Sequence, residues 1–240
     1  GDVDADGDQD LFFSNLGVSI PAFMTKGDLK DGQRHAIEWL LLRNDGDFKF
    51  TDVTGSYGLL GYGFSWGAVF EDLNLDGALD LAVAQNYIKW PVHKIAPLGS
   101  KVFLQQLNGG TAEFFHYGAL GLDNRHFDKS IVTADLDGDA RPDFLWLNMH
   151  GPLRAFLNTS QANVLAVAIP DTLPFRGATV SVETSRGKLY ARQVTGSIGL
   201  MTDQAPVQFF GLGDEEKVKS VTIAMADGTR LGIENPDINR

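Results

Sequence analysis

The stretch Asp72-Leu-Asn-Leu-Asp-Gly-Ala-Leu-Asp80 sets oxygen-bearing side chains at its first, third, fifth and ninth positions: Asp72, Asn74, Asp76 and Asp80. Alternate spacing lets a tightly curled loop turn several hard oxygens toward one point, and Gly77 at the sixth position supplies the φ > 0 turn that the curl needs. Such a set suits a hard cation taking roughly six to eight oxygens, which is Ca²⁺ before Mg²⁺. The backbone carbonyl of the seventh position, Ala78, and water would complete it. The pattern recurs twice. Asp2, Asp4, Asp6 and Asp10 form one copy, with Gly7 sixth and Asp8 seventh. Asp135, Asp137, Asp139 and Asp143 form the other, with Ala140 in the glycine's place and Arg141 seventh. The first positions lie 70 and 63 residues apart, a spacing that marks a repeat architecture.

The elements that must hold these loops follow from their flanks. An EF-hand shares the opening but needs a bidentate Glu at the twelfth position and a helix on each side. Here the twelfth positions are Phe13, Val83 and Trp146. Each ninth-position aspartate is followed by a short apolar run, residues 11–13, 81–84 and 144–147, of the length and composition of a buried strand. Residues 65–70 and 130–133, ahead of the second and third loops, are also strand-like. The unit is strand, acidic loop, strand.

Units of this kind resemble FG-GAP/VCBS repeats, the calcium-loop blades of one class of β-propeller. Asp135-Leu-Asp-Gly-Asp-Ala-Arg-Pro-Asp143 is similar to that family's loop almost throughout, departing at Ala140. Residues 43–54, Arg-Asn-Asp-Gly-Asp-Phe-Lys-Phe-Thr-Asp-Val-Thr, resemble the segment that closes one blade and leads into the next. The resemblance covers residues 1–160 and implies fold and metal binding, with no particular activity. Beyond a polar seam at residues 158–163 no aspartate loop recurs. Short alternating strands there, residues 178–182, 188–194 and 219–225, suggest a small β-sandwich over residues 163–240. Arg176-Gly-Ala-Thr-Val180, Val194-Thr-Gly-Ser-Ile-Gly-Leu200, Phe210-Gly-Leu-Gly213 and the strand into Asp227-Gly228 resemble the ASPIC/UnbV domain. Together the two point to the cartilage acidic protein/UnbV-like group and to an all-β protein: a partial β-propeller followed by a sandwich.

Composition supports that class. In 240 residues, 43% hydrophobic content is enough for a packed core and 27 glycines suit a turn-rich chain. A net charge of −11 argues against nucleic acid, which needs a basic face. Twelve of the 31 acidic residues sit in the three loops, so three divalent ions would bring the formal charge to −5. Two to three Ca²⁺ ions are therefore expected, in a structural role that turns binding energy into folding energy. No cysteine is present, and no apolar run is long enough to cross a membrane as a helix. Loops of this kind usually need millimolar calcium, which favours a secreted or cell-surface location. The chain opens at Gly1 inside a metal loop, without the strand that should deliver Asp2. It reads as part of a longer protein, with sheet edges left open over residues 1–160 and a first loop whose ion binding is in doubt.

Other chemistry fares less well. Gly63-Phe-Ser-Trp-Gly67 matches the nucleophile elbow G-x-S-x-G, but that motif needs a helix after the serine, and residues 68–72 read as strand. The five histidines show no metal-pair spacing. Trp39, Trp66 and Trp146 read as core, while Trp90 beside Pro91, in an irregular excursion over residues 85–100, is the best candidate for an exposed contact, with Tyr87 near it. A second irregular excursion covers residues 15–36. Asn158-Thr159-Ser160 is a glycosylation sequon. The expected function is a non-enzymatic calcium-binding scaffold for a protein or glycan ligand; a carbohydrate-binding module or an accessory domain of a secreted hydrolase is the alternative.

Overall fold

The computed structural model describes residues 1–15, 30–32, 38–85, 87–89, 94–96, 98–109 and 111–240. Trp90, Pro91, His35, His93 and most of the 15–36 excursion lie outside them. The described residues form an all-β molecule of 18 strands and two single-turn 3-10 helices, with no α-helix.

The chain first builds three up-and-down antiparallel sheets. The first joins β1 (Leu11–Phe13), β2 (Leu40–Asn44) and β3 (Phe50–Asp52). The second has four strands in the order β4 (Ala68–Glu71), β5 (Asp80–Val83), β8 (Lys101–Asn108) and β9 (Thr111–His116). The third joins β10 (Phe127–Ala134), β11 (Asp143–His150) and β12 (Arg154–Phe156).

The four-stranded sheet is buried on both faces, because its alternating side chains feed two cores. Leu81, Val83 and Phe103 pack with Trp39 and Leu41 of the first sheet region, and with Tyr57, Leu59 and Phe114. Ala82, Ala84 and Val102 pack with Ile131, Phe144 and Trp146 of the third sheet. Burial on both faces is the reason β5 is a continuous apolar run without alternation. Trp39 and Trp146 are core residues as expected, and Trp66 is half-buried with its ring edge-on to Phe64.

The remaining strands form two further sheets. One pairs β13 (Asn163–Ala168) with β16 (Val207–Gly213). The other runs β15 (Leu189–Gln193), β14 (Thr179–Thr184), β17 (Val218–Ala224) and β18 (Arg230–Glu234). Leu165, Phe210 and Leu212 of the first face Val180, Val182, Val218 and Val221 of the second across one core, which is the sandwich that the alternation implied.

Several local expectations need correction. The 85–100 excursion is not irregular throughout: β6 (Tyr87–Lys89) and β7 (Lys94–Ala96) pair as a hairpin, since a connection of this length rarely stays without structure of its own. β3 starts only at Phe50, because Asp47 and Phe48 both take positive φ in the preceding turn and Phe48 points to solvent. β4 starts at Ala68, not Ser65. Ser65 is buried and is followed by a strand, so the surroundings that a nucleophile elbow requires are absent.

The expectation of open edges also fails at one place. Gln204 lays its amide along edge strand β10, accepting from Thr133 N at 2.7 Å and donating to Ile131 O at 3.1 Å. One side chain thereby satisfies two backbone groups as a neighbouring strand would. Thr202 adds a hydroxyl contact to Ser130 at 2.9 Å.

Candidate metal centres

All three acidic loops close in the same way, and their aspartates are the reason. The residue before each loop pairs with the ninth-position aspartate: Glu71 with Asp80 and Ala134 with Asp143 in the strand registers, and Gly1 with Asp10 through N–H···O bonds of 2.8 and 3.1 Å. The first loop thus closes on Gly1.

Inside each loop the first carboxylate accepts the fifth and sixth N–H groups. Asp2 takes Asp6 and Gly7, Asp72 takes Asp76 and Gly77, and Asp135 takes Asp139 and Ala140, at distances of 2.8 to 3.1 Å. The ninth carboxylate accepts the second N–H, from Val3, Leu73 and Leu136. Its other oxygen reaches out to a later segment: Asp10 to Asn44 N, Asp80 to Gln105 N, Asp143 to Asn158 N. Each ninth aspartate therefore ties loop, hairpin and a further strand or strand end together. A turn merely solvated by its aspartates would show no such repeat.

The curl needs positive φ at two positions, not one. The fourth residue is left-handed in every loop (Ala5, Leu75, Gly138), and so is the sixth (Gly7, Gly77, Ala140). Each loop carries one glycine for the two positions, and the third loop has merely exchanged them. Ala140 keeps φ at +67°, with Gly138 at +83°. Ala140→Gly is expected to stabilise the chain by about 0.5–1 kcal/mol, and Gly138→Ala to destabilise it by about 1 kcal/mol. Urea denaturation in chelator reads both; no gain from Ala140→Gly, or no loss from Gly138→Ala, would contradict the shared role.

Two carboxylate triads converge among the described residues. Asp2, Asp4 and Asp10 bring ligand oxygens within 4.8 Å of one another, and Asp135, Asp137 and Asp143 do the same. The first triad is buried, the third partly exposed. Burial pushes the Asp4 carboxyl up to about 6, helped by the like charges of Asp10, Asp6 and Asp2, and it also raises Asp2 and Asp10. Asp137 is raised by lost hydration and by Asp139, Asp143 and Asp135. Crowded, raised carboxylates are what a cation relieves. Asp4 Oδ1 is moreover buried with no hydrogen-bond partner, so one carboxylate oxygen of the triad's residues is left unmet. The donor set fits a hard divalent ion.

The central loop is different, since Asn74 stands where the other loops have their second triad carboxylate. Asn74 Oδ1 and Asp72 Oδ1 both accept Asp76 N, and burial lifts Asp72 to about 6 and pushes Asp80 well above the ordinary carboxylate range. This loop is also clamped by the C-terminal sheets. Gly211 N donates to Asp72 Oδ2 at 3.1 Å, and Gly213 N to Leu75 O at 2.9 Å. Tyr190 presses on Gly77 so closely that a Cβ there would lie 2.6 Å from its hydroxyl. From the seam, Asn158 Nδ2 donates to Leu73 O and Pro142 O. The sequon asparagine therefore has its amide nitrogen engaged within the fold.

Of the seventh positions, Asp8 N and Ala78 N close the turns onto Asp6 and Asp76, while Arg141 directs its side chain to Ser160 O and Asp139. Sequence reasoning missed the clamp entirely. Gly211 and Gly213 sit in a strand far along the chain, and nothing local marks them as partners of Asp72. The ninth-position pins were missed as well, though the recurrence of an aspartate before each apolar run was a usable signal.

The fold and site thus define an all-β chain of acidic-loop hairpin sheets followed by a sandwich. The FG-GAP-like repeat family matches residues 2–83, which hold the first two loops, and the ASPIC and UnbV family matches residues 172–240. The chain carries an FG-GAP-like repeat region followed by an ASPIC/UnbV domain, the architecture the residues resembled. FG-GAP-like repeats are typical of extracellular and surface proteins, and no described helix could cross a membrane. No curated protein matches the chain.

Proposed function

We propose that the protein is a calcium-loaded extracellular scaffold, part of a β-propeller with an appended sandwich, which binds a protein or glycan ligand and catalyses no reaction. The convergence of the Asp2, Asp4 and Asp10 carboxylates, with Asp4 Oδ1 buried and partnerless, carries this reading. Asp2, Asp4 and Asp10, with the Asp8 carbonyl, would hold one ion; Asp135, Asp137 and Asp143, with the Arg141 carbonyl, would hold another. The central loop, with Asp72, Asn74, Asp76, Asp80 and the Ala78 carbonyl, takes a third more weakly, because fewer carboxylates face it. Bound calcium supplies charge neutralisation. The chain's residues supply the cage of backbone bonds that sets the oxygens in place, so metal binding stabilises the hairpins and through Asp72 the sandwich docked on them. The sheets then present loops to a ligand.

A thermal melt in saturating calcium and in chelator, with metal content measured by mass spectrometry, tests the reading. Each site at a hundredfold excess over its Kd adds about 2.7 kcal/mol. The expected result is a clear upward shift with two or three calcium ions per chain, one fewer in Asp4→Asn. Equal melts and no bound metal would overturn it.

A further inference from the structure

β18 is the outer strand of the sandwich's four-stranded sheet, and all of its residues are exposed. The direction of its backbone groups follows from the bonds at its two ends. Met225 N donates to Thr229 O, and Asn235 N donates to Lys219 O. Hydrogen-bonded pairs alternate along an antiparallel ladder, so Leu231 and Ile233 turn their N–H and C=O groups toward Ile223 and Val221 of β17. Arg230, Gly232 and Glu234 turn theirs away from the sheet, as an unpaired edge. The chain then leaves that edge. Asn235 takes positive φ, and Asn239 joins Val164 of the opposite sheet by bonds of 2.8 and 2.9 Å.

This edge is complementary to itself. Gly232 stands at its centre, with Arg230 two residues before it and Glu234 two residues after. A two-fold axis through Gly232 sets the outward groups of two copies in register as three hydrogen-bonded pairs. Gly232 then meets its own counterpart, and Arg230 meets Glu234 twice. Opposite charges directly across a strand pair attract, whereas parallel pairing would set like charges side by side. Arg230 has no ion pair among the described residues, and Glu234 acts through space on Lys219, which is bridged to Glu183. The other face agrees. Leu231 and Ile233 share the face of Ile223 and Val221, which pack in the sandwich core, yet they are 46% and 59% exposed. In the paired arrangement Leu231 of each copy lies across from Ile233 of the other, so apolar surface continues from core to core. We infer that β18 is a self-association edge, through which two copies of this chain join their four-stranded sheets into one continuous sheet. The edge lies in the sandwich, so its pairing is independent of the acidic loops.

Two short edges bury less than a standard interface, so the dimer should be weak, with a Kd of roughly 10 µM to 1 mM. Sedimentation velocity of the full chain across that range should show a monomer–dimer equilibrium. Amide exchange followed by NMR should slow at Arg230, Gly232 and Glu234 as concentration rises, with Leu231 and Ile233 protected throughout. Gly232→Pro removes the central outward N–H and keeps every bond to β17, and a Cβ there meets only Val221 O, at 3.8 Å. It should abolish the dimer. Arg230→Glu, at an exposed side chain, sets like charges across from each other twice and should weaken the dimer at least about tenfold. Adding Glu234→Arg to that variant reverses the pair and should restore most of the affinity. A chain that stays monomeric across the range, or a dimer unchanged in either single variant, would overturn the assignment.

Discussion

Gly211→Ala is expected to destabilise the chain by about 3 kcal/mol or more, the largest single effect of a methyl group in this fold. Gly211 has ordinary φ, so backbone strain is not the cause. The new Cβ would stand 2.1 Å from Asp72 Oδ2 and 2.5 Å from the Leu75 backbone. Backbone at that distance cannot yield locally. Either β16 withdraws from the central loop, or Asp72 turns away. Withdrawal breaks the bonds from Gly211 N and Gly213 N, while rotation leaves Gly77 N without its acceptor inside the structure. Gly213→Ala is the control, because a Cβ there meets nothing within 4 Å and carries only the strain of its +59° φ, about 1 kcal/mol. Denaturant unfolding of both variants should show Gly211→Ala much the less stable, with the sandwich and the sheets no longer unfolding together. A Gly211→Ala protein as stable as the Gly213→Ala control would show that the clamp contributes little.

Asp80→Ala is the second, with an expected loss of roughly 3–5 kcal/mol. Asp80 is fully buried and accepts Leu73 N, Asn74 N and Gln105 N at 2.9, 3.3 and 2.9 Å. Truncation leaves these donors without an acceptor, and with them go the loop closure and the tie to β8. Asp80→Asn should not restore stability, since its amide must turn donors toward Leu73 N or Gln105 N. Asp76→Ala on the exposed rim of the same loop should cost only about 1 kcal/mol, because its carboxylate meets Ala78 N and Asn74 Nδ2 near solvent. The comparison is made in chelator, so that metal affinity does not enter. Similar losses for Asp80→Ala and Asp76→Ala would reduce the aspartates to ligands and turn formers.

The wider consequence is that these loops serve two roles with one set of residues. First and ninth carboxylates hold backbone N–H groups in the structure without metal, and the remaining oxygens, Asp4 Oδ1 above all, stay available to an ion. The central loop leans furthest toward the first role. Its Leu75 is completely buried, and its Asp72 is shared between loop curl and sandwich. It is both a candidate metal centre and the joint on which the C-terminal sheets rest.

The sequence by itself determined whatever depends on neighbours within about a dozen residues. The aspartate spacing, the glycine at a left-handed position and the apolar run behind each loop specify strand, curl and strand without outside help. The exchange of Gly138 and Ala140 left the curl unchanged, because either position tolerates alanine when the other is glycine. The tertiary structure alone decided everything built from residues far apart. That Gly211 would close on Asp72 and that Gln204 would cap β10 depend on how two sheets dock. No local periodicity encodes such pairings. A glycine in a strand or a lone glutamine looks the same in sequence whether it faces solvent or another sheet, and only the burial of one surface against the other assigns it a partner.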